Sequence, residues 1–123
     1  MRASYTYRAQ LERIIDGDTF ALRIDLGFGV WVYETIRLAR INAAEKTGDQ
    51  ADRGQAAEAF CHRWFACNHD FTIRTQKNLR GQNTQEKYGR YLAEIDGIFA
   101  GFGTNLADEL VVRELATLWE GQT

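Results

Sequence analysis

Between residues 20 and 26 the apolar side chains Phe20, Leu22, Ile24 and Leu26 occupy every second position, separated by Ala21, Arg23 and Asp25. A period of two puts the four on one side of an extended chain, whereas a helix would scatter them around its axis. The segment is therefore a strand with one buried face, and it needs partners on both edges. Residues 4–15 supply one, being rich in aromatic and β-branched side chains, with the turn dipeptide Asp16-Gly17 between them. Gly27 and Gly29 mark the next reversal, and a third strand is expected from Val30 to about Ile41. On it Val30, Val32, Ile36 and Leu38 share one face; Trp31, Tyr33, Thr35 and Arg37 share the other.

The second half changes period. Ala56, Ala59, Phe60 and Trp64 recur at helical spacing within a segment from about Asp49 to Cys67, with Asp49 and Asp52 at the end that the helix dipole favours. Phe71–Thr75 reads as a short strand, residues 76–87 as a polar loop, and Tyr91–Ile95 as a fifth strand ended by Asp96-Gly97. A closing helix is expected from Asn105, a good N-cap, to Trp119, with Leu106, Leu110, Val111, Leu115 and Leu118 as its apolar stripe. Five short strands and two helices make an α+β domain, and strands of this length close into a small OB-type β-barrel with the two helices packed on it.

No repeat or linker interrupts the 123 residues, which suit a single domain over 1–123. With 45% hydrophobic residues a core forms without metal or disulfide support, and two cysteines are too few for a disulfide scaffold. No apolar run approaches the roughly 20 residues of a membrane helix, so no membrane partner is expected. Met1–Gln10 carries no apolar segment, so no signal peptide is visible and the cytoplasm is the default location. Nothing in the sequence fixes an oligomeric state.

The net charge of −2 argues against coating nucleic acid through bulk charge. The charge is unevenly spread, however. Residues 71–93 hold Arg74, Lys77, Arg80, Lys87 and Arg90 against Glu86 alone, while residues 94–123 are acidic. A solvated loop and a phosphate-binding face both fit the basic run, and Tyr88 and Tyr91 within it suit base or sugar contact.

Three segments place charged residues where turns and strands do not require them. In Asp16-Gly17-Asp18-Thr19 the second carboxylate falls where a strand begins; a tight turn explains Asp16-Gly17, and Asp18 is a candidate ligand for a hard cation such as Ca²⁺ or Mg²⁺. In Arg37–Glu45 the side chains can serve as a two-pronged phosphate clamp (Arg37), an oxygen ligand (Asn42) and a general base (Glu45). In Glu86-Lys87-Tyr88-Gly89-Arg90-Tyr91 the glycine permits close backbone approach and Arg90 offers a second clamp.

In this order and spacing, from Tyr7 to Trp119, the three segments resemble the staphylococcal nuclease (thermonuclease) family. The resemblance implies a Ca²⁺-dependent nuclease of low sequence specificity, acting on DNA and RNA at the 5′ oxygen and leaving 3′-phosphate ends. Asp18 then matches the metal-ligand carboxylate and Asp16 a carboxylate just outside the ligand set. Asn42 and the backbone carbonyl of Ala43 complete the metal site. Arg37 and Arg90 match the phosphate-binding arginines, Glu45 the general base, and Lys87 and Tyr88 the nucleotide contacts. The sequence departs from the family at Asn42, where an aspartate is usual, and at Ala43-Ala44, which replaces Thr-Pro or Ala-Pro. It also stops at Thr123, short of the additional C-terminal helix of the best-known member, so substrate contacts beyond the second helix fall outside the expectation. Two other readings use the same residues: a catalytically weak or inactive domain that binds nucleic acid or protein, and an OB-type single-strand binder. Retention of Asp18, Arg37, Glu45 and Arg90 together separates the enzyme from both.

Cys61, His62, Cys67 and His69 lack the paired spacing of a zinc knuckle, and buried structural thiols are expected instead. Phe28, Trp31, Phe99 and Phe102, near glycine-rich turns, suit base stacking, core packing or dimer contact.

Overall fold

The computed structural model describes residues 4–45, 48–76 and 89–118. Its strands are β1 (Ser4–Asp16), β2 (Thr19–Gly27), β3 (Val30–Leu38), β4 (Ile41–Ala43), β5 (Phe71–Gln76), β6 (Tyr91–Phe99), β7 (Phe102–Asn105) and β8 (Ala116–Leu118). A 3₁₀ turn (Gly48–Gln50) leads into α1 (Ala51–Ala66), and α2 spans Leu106–Val112.

Strands β3, β2, β1, β5 and β6 are hydrogen-bonded in that order, and β3 pairs with β6 to close the ring. Four of the pairings are antiparallel; the closing one is parallel, with Ile36 beside Tyr91 and Leu38 beside Ala93. The result is a closed five-stranded barrel with two helices, as the α+β expectation required. Closure removes the unpaired edges that a sheet of this size would otherwise expose. Strand β7 extends β6 as a hairpin, and β4 pairs with β8 in a separate small sheet beside the barrel.

The period-two pattern of β2 fills the barrel: Phe20 and Leu22 are fully buried, with Ile36, Leu38, Ile73 and Ile95 facing them. Helix α1 closes one end with an aromatic cluster in which Phe65 sits edge-on to Phe20 and Phe71, each at 5.0 Å, and Trp64 to Phe65 at 5.1 Å. The buried face of α1 is Gly54, Ala57, Phe60, Cys61, Trp64 and Phe65. Ala56 and Ala59, expected on that face, are exposed. Alanine favours a helix whichever way it points, so it marks no face by itself.

Three boundaries differ from the sequence expectation for physical reasons. Strand β3 ends at Leu38 because Arg40 takes a left-handed conformation (φ 74°) and the chain then starts β4. Strand β6 runs through Asp96-Gly97 to Phe99, and the reversal comes at Ala100-Gly101, where both φ angles are positive. Asp96 is held there by Arg74 at 2.6 Å and Asn105 at 3.0 Å, and Gly97 lies against Asn68 and Trp64. Helix α2 stops at Val112 because Glu114 is left-handed (φ 60°), which frees Ala116–Leu118 to pair with β4. Leu118 is consequently exposed instead of part of a helical stripe. Asn105 does cap α2: its Oδ1 accepts the Asp108 N–H at 3.0 Å.

Candidate active site

The Asp16–Thr19 segment is a tight hairpin turn, with Asp16 paired to Thr19. Gly17 serves close approach: a Cβ there would stand 3.1 Å from the Cβ atoms of both Ala43 and Ala57. Behind it the Cys61 thiol donates to the Gly17 carbonyl at 3.5 Å, and burial pushes that thiol's pKa up, with Asp18 and Glu58 acting the same way. The Leu38 N–H donates to the Asp18 carbonyl at 2.8 Å, tying the start of β2 to the end of β3. This places Asp18 beside Arg37.

Arg37 lies on the opposite side of β3 from Ile36 and Leu38, as alternation requires, yet it is only 6% exposed. Its Nη2 donates to Asp18 Oδ2 at 3.3 Å and to Asn42 Oδ1, and its Nη1 to the Leu38 carbonyl at 3.3 Å. Asp18 Oδ2 also accepts the Ala43 N–H at 3.1 Å. On the other side, Thr19 Oγ1 donates to Asp18 Oδ1 at 3.0 Å and accepts from Arg90 Nη1 at 3.2 Å. Thr19 is 1% exposed and links the Arg90 guanidinium to the Asp18 carboxylate.

These side chains open into a cleft of about 480 Å³ that Asp18, Arg37, Asn42, Ala43, Glu45 and Arg90 line together. The structure thus brings together six of the nine residues singled out from the sequence. Asp16 ends β1 and is not among the described residues lining the cleft. Lys87 and Tyr88 lie outside the described residues. The loop bearing Glu45 is fixed where its N–H donates to Gln50 Oε1 at 3.1 Å and where the Ala44 N–H donates to the Leu115 carbonyl at 3.1 Å.

The turn between β3 and β4, which leads into Asn42, is anchored from beneath. Arg40 forks onto Glu94 at 2.6 and 2.8 Å and reaches Asp108 at 3.1 Å. The Glu94 hydrogen bonds raise the pKa of Arg40 against the opposing effect of burial. Burial works against ionisation of Glu94, and the hydrogen bonds from Arg40 and Asn105 outweigh it, so its pKa is lowered. Burial likewise opposes ionisation of Asp96, and Arg74 and Asn105 reverse the balance.

Four residues at the cleft had no sequence signal. Thr19 reads as a strand starter. Gln50 precedes a helix without marking it. The side chains of Arg53 and Glu114, which also line the cleft, have no hydrogen-bond or ion-pair partner among the described residues. The Glu114 position follows from the early end of α2, where the sequence reads as continuous helix. The cleft therefore holds three guanidinium groups, on Arg37, Arg53 and Arg90, and three carboxylates, on Asp18, Glu45 and Glu114.

Asp18 Oδ2 and Asn42 Oδ1 both accept from one nitrogen, Arg37 Nη2, so two oxygens converge where a positive charge already sits. A carboxylate and an amide oxygen are donors of the kind a hard cation such as Ca²⁺ takes, and among the described residues no group of three His, Cys, Asp or Glu side chains gathers to hold a metal ion. Elsewhere, Cys61 is buried but Cys67 is exposed, contrary to the expectation of two buried thiols. Phe28 is fully exposed and Phe102 largely so, whereas Phe99 packs edge-on against Phe60 at 5.2 Å.

No protein-family model matches the chain, and no curated protein sequence matches it. No helix among the described residues is long and apolar enough to cross a membrane.

Proposed function

We propose that the chain is a metal-dependent phosphodiesterase of the staphylococcal nuclease type, hydrolysing DNA and RNA with little sequence preference. The observation that supports this reading is the shared cleft in which two arginines from distant segments, Arg37 and Arg90, flank one carboxylate, Asp18, with Glu45 on the same wall. A phosphodiester carries one negative charge in the ground state and gains more as water adds. Fixed guanidinium groups interact more strongly with that developing charge than with the substrate. Buried Arg37, held by Asp18, Asn42 and the Leu38 carbonyl, is preorganised for this; Arg90 meets the second oxygen. Glu45 is exposed and its carboxylate has no partner among the described residues, so it can take the proton of the attacking water, while the 5′ oxygen leaves. Asp18, Asn42 and the Ala43 carbonyl would hold Ca²⁺, which when bound polarises a phosphoryl oxygen.

The contact of Arg37 with both Asp18 and Asn42 favours the second reading, a binding module whose cation site is served by its own arginine. Incubation of the protein with plasmid and single-stranded DNA, with Ca²⁺, Mg²⁺ or chelator, decides between the two. Cleavage that needs the divalent ion and leaves 3′-phosphate ends supports the enzyme; a folded protein that cuts under none of these conditions refutes it.

A further inference from the structure

Helix α1 closes one end of the barrel, and no helix of the described residues lines the opening at the other. There Tyr7, Ile24, Leu26, Val32, Ile73 and Tyr91 surround a cup of about 260 Å³. The cup arises because β3 pairs with β6 only over Ile36–Leu38, so the first half of β3 stands away from β6. Thr75 forms part of its wall, and Glu34, its one carboxylate among the described residues, keeps its exposure to water. The β2–β3 turn stands at the same end. Leu26 lines the cup, and the next three residues, Gly27, Phe28 and Gly29, are all left-handed, at φ 85°, 56° and 75°. A bulky L residue seldom adopts that conformation, and Asn-Gly is the favoured pair for such a two-residue turn. Phe28 gains no packing within the chain in return, since its ring is fully exposed. Leu26 and Val30 on either side of it are half-exposed.

We infer that Phe28 of one chain enters the cup of a second copy, and that the exchange is mutual, giving a two-fold dimer. Three features favour this occupant. An apolar cavity of roughly 150 Å³ already holds a benzene ring, so the cup has room for the Phe28 side chain. Ring and cup sit at one end of the barrel with Leu26 between them, so a two-fold axis beside Leu26 seats both rings at once and the contact closes at two copies. Each ring buries about 150–250 Å², and with the cup walls, Leu26 and Val30 the interface comes to roughly 1,000 Å², the lower limit for a specific contact. The dimer is therefore weak, with a Kd on the order of 10–100 µM. The cleft lies at the opposite end of β2, beside Thr19, and stays open in it. Neither the dimer nor the nuclease reading depends on the other.

Sedimentation equilibrium of the full chain between about 5 and 500 µM reads the association. The mass of the parent rises from 14.1 kDa towards twice that value across the range. Phe28→Asn gives the turn its favoured Asn-Gly pair and Thr75→Phe fills the cup from within; each weakens association at least tenfold. Should Thr75→Phe fail to fold by circular dichroism, amide resonances locate the contact instead. On concentrating the parent, those of Ile24, Ile73 and Tyr91 shift, and in Phe28→Asn they stay fixed. A parent that remains monomeric throughout, or a Phe28→Asn chain that associates like the parent, overturns the dimer. Binding of a monomeric parent to phosphatidylcholine vesicles would give the turn to a membrane surface and overturn it equally. Concentration-dependent shifts confined to residues outside the cup overturn the seat assigned to the ring.

Discussion

Thr19→Val is the substitution that best separates support of the site from mere presence of its residues. The change keeps the β-branched shape and removes one oxygen that donates to Asp18 Oδ1 at 3.0 Å and accepts from Arg90 at 3.2 Å. Thr19 is 1% exposed, so water does not replace the hydroxyl in place. Hydrogen bonds to charged groups contribute about 1.5–3 kcal/mol each. Asp18 keeps its Arg37 and Ala43 contacts through the other oxygen and is 15% exposed, which lowers the cost. The expected loss is about 2 kcal/mol, or roughly 6–10 °C in Tm for a domain of this size. On the nuclease reading, function should fall further than stability implies, because Arg90 loses the hydrogen bond that ties it to Thr19 beside Asp18: kcat should drop roughly ten- to a hundredfold under folded conditions. Thr19→Ser retains the hydroxyl, restores most of the rate and gives up about 1 kcal/mol for the lost methyl. Thermal melts followed by circular dichroism and single-turnover cleavage supply the two readouts. A valine variant that melts within about 2 °C of the parent and cleaves like the serine variant refutes the link.

Four further outcomes follow from the same geometry. Asn42→Asp adds a second carboxylate to the proposed cation site and should tighten Ca²⁺ roughly tenfold in a calcium titration; an unchanged or weaker midpoint shows that Asn42 is not a ligand. Glu45→Gln removes the proposed base and should slow cleavage about 10²- to 10⁴-fold with little change in Tm; near-parental rates would displace Glu45 from that role. Gly97→Ala puts a Cβ 2.5 Å from Asn68 Oδ1 and 2.7 Å from the Trp64 ring, and should cost about 1–3 kcal/mol in urea unfolding, where an unchanged midpoint would contradict the packing. The lowered pKa values of Glu94 and Asp96 contribute stability that is complete above their ordinary values of 4.5 and 3.8 and is lost as pH falls through the folded-state values. Urea midpoints should therefore decline below about pH 4.5, and Glu94→Gln should flatten that decline; an equally steep acid limb in the variant would assign it to other groups.

The barrel was legible in the sequence because its signals are local. Alternation in β2 and β3, glycine at the Gly27–Gly29 turn and the apolar spacing around Phe60 and Trp64 each occupy a few consecutive residues. The candidate site was legible in part for a similar reason: Asp18, Arg37, Asn42 and Glu45 are charged or polar at places where a turn or strand end does not require them. Ala56 and Ala59 misled because alanine suits either face of a helix. Strand β6 continued through Asp96-Gly97 because Arg74 and Asn105 satisfy the carboxylate and Gly97 admits Trp64, both decided by contacts from other segments.

The net charge shows the same division. As a total of −2 it argues against coating nucleic acid through bulk charge; folded, it includes three guanidinium groups and three carboxylates gathered at one cleft. The periods, the turns and the charged residues without structural need can be read along the chain, since they depend on neighbours within a few positions. The closure of β3 on β6, the early end of α2 at Glu114 and the link from Arg90 through Thr19 to Asp18 come from folding alone. Each of these joins residues far apart in the chain, whose meeting depends on how the whole core packs.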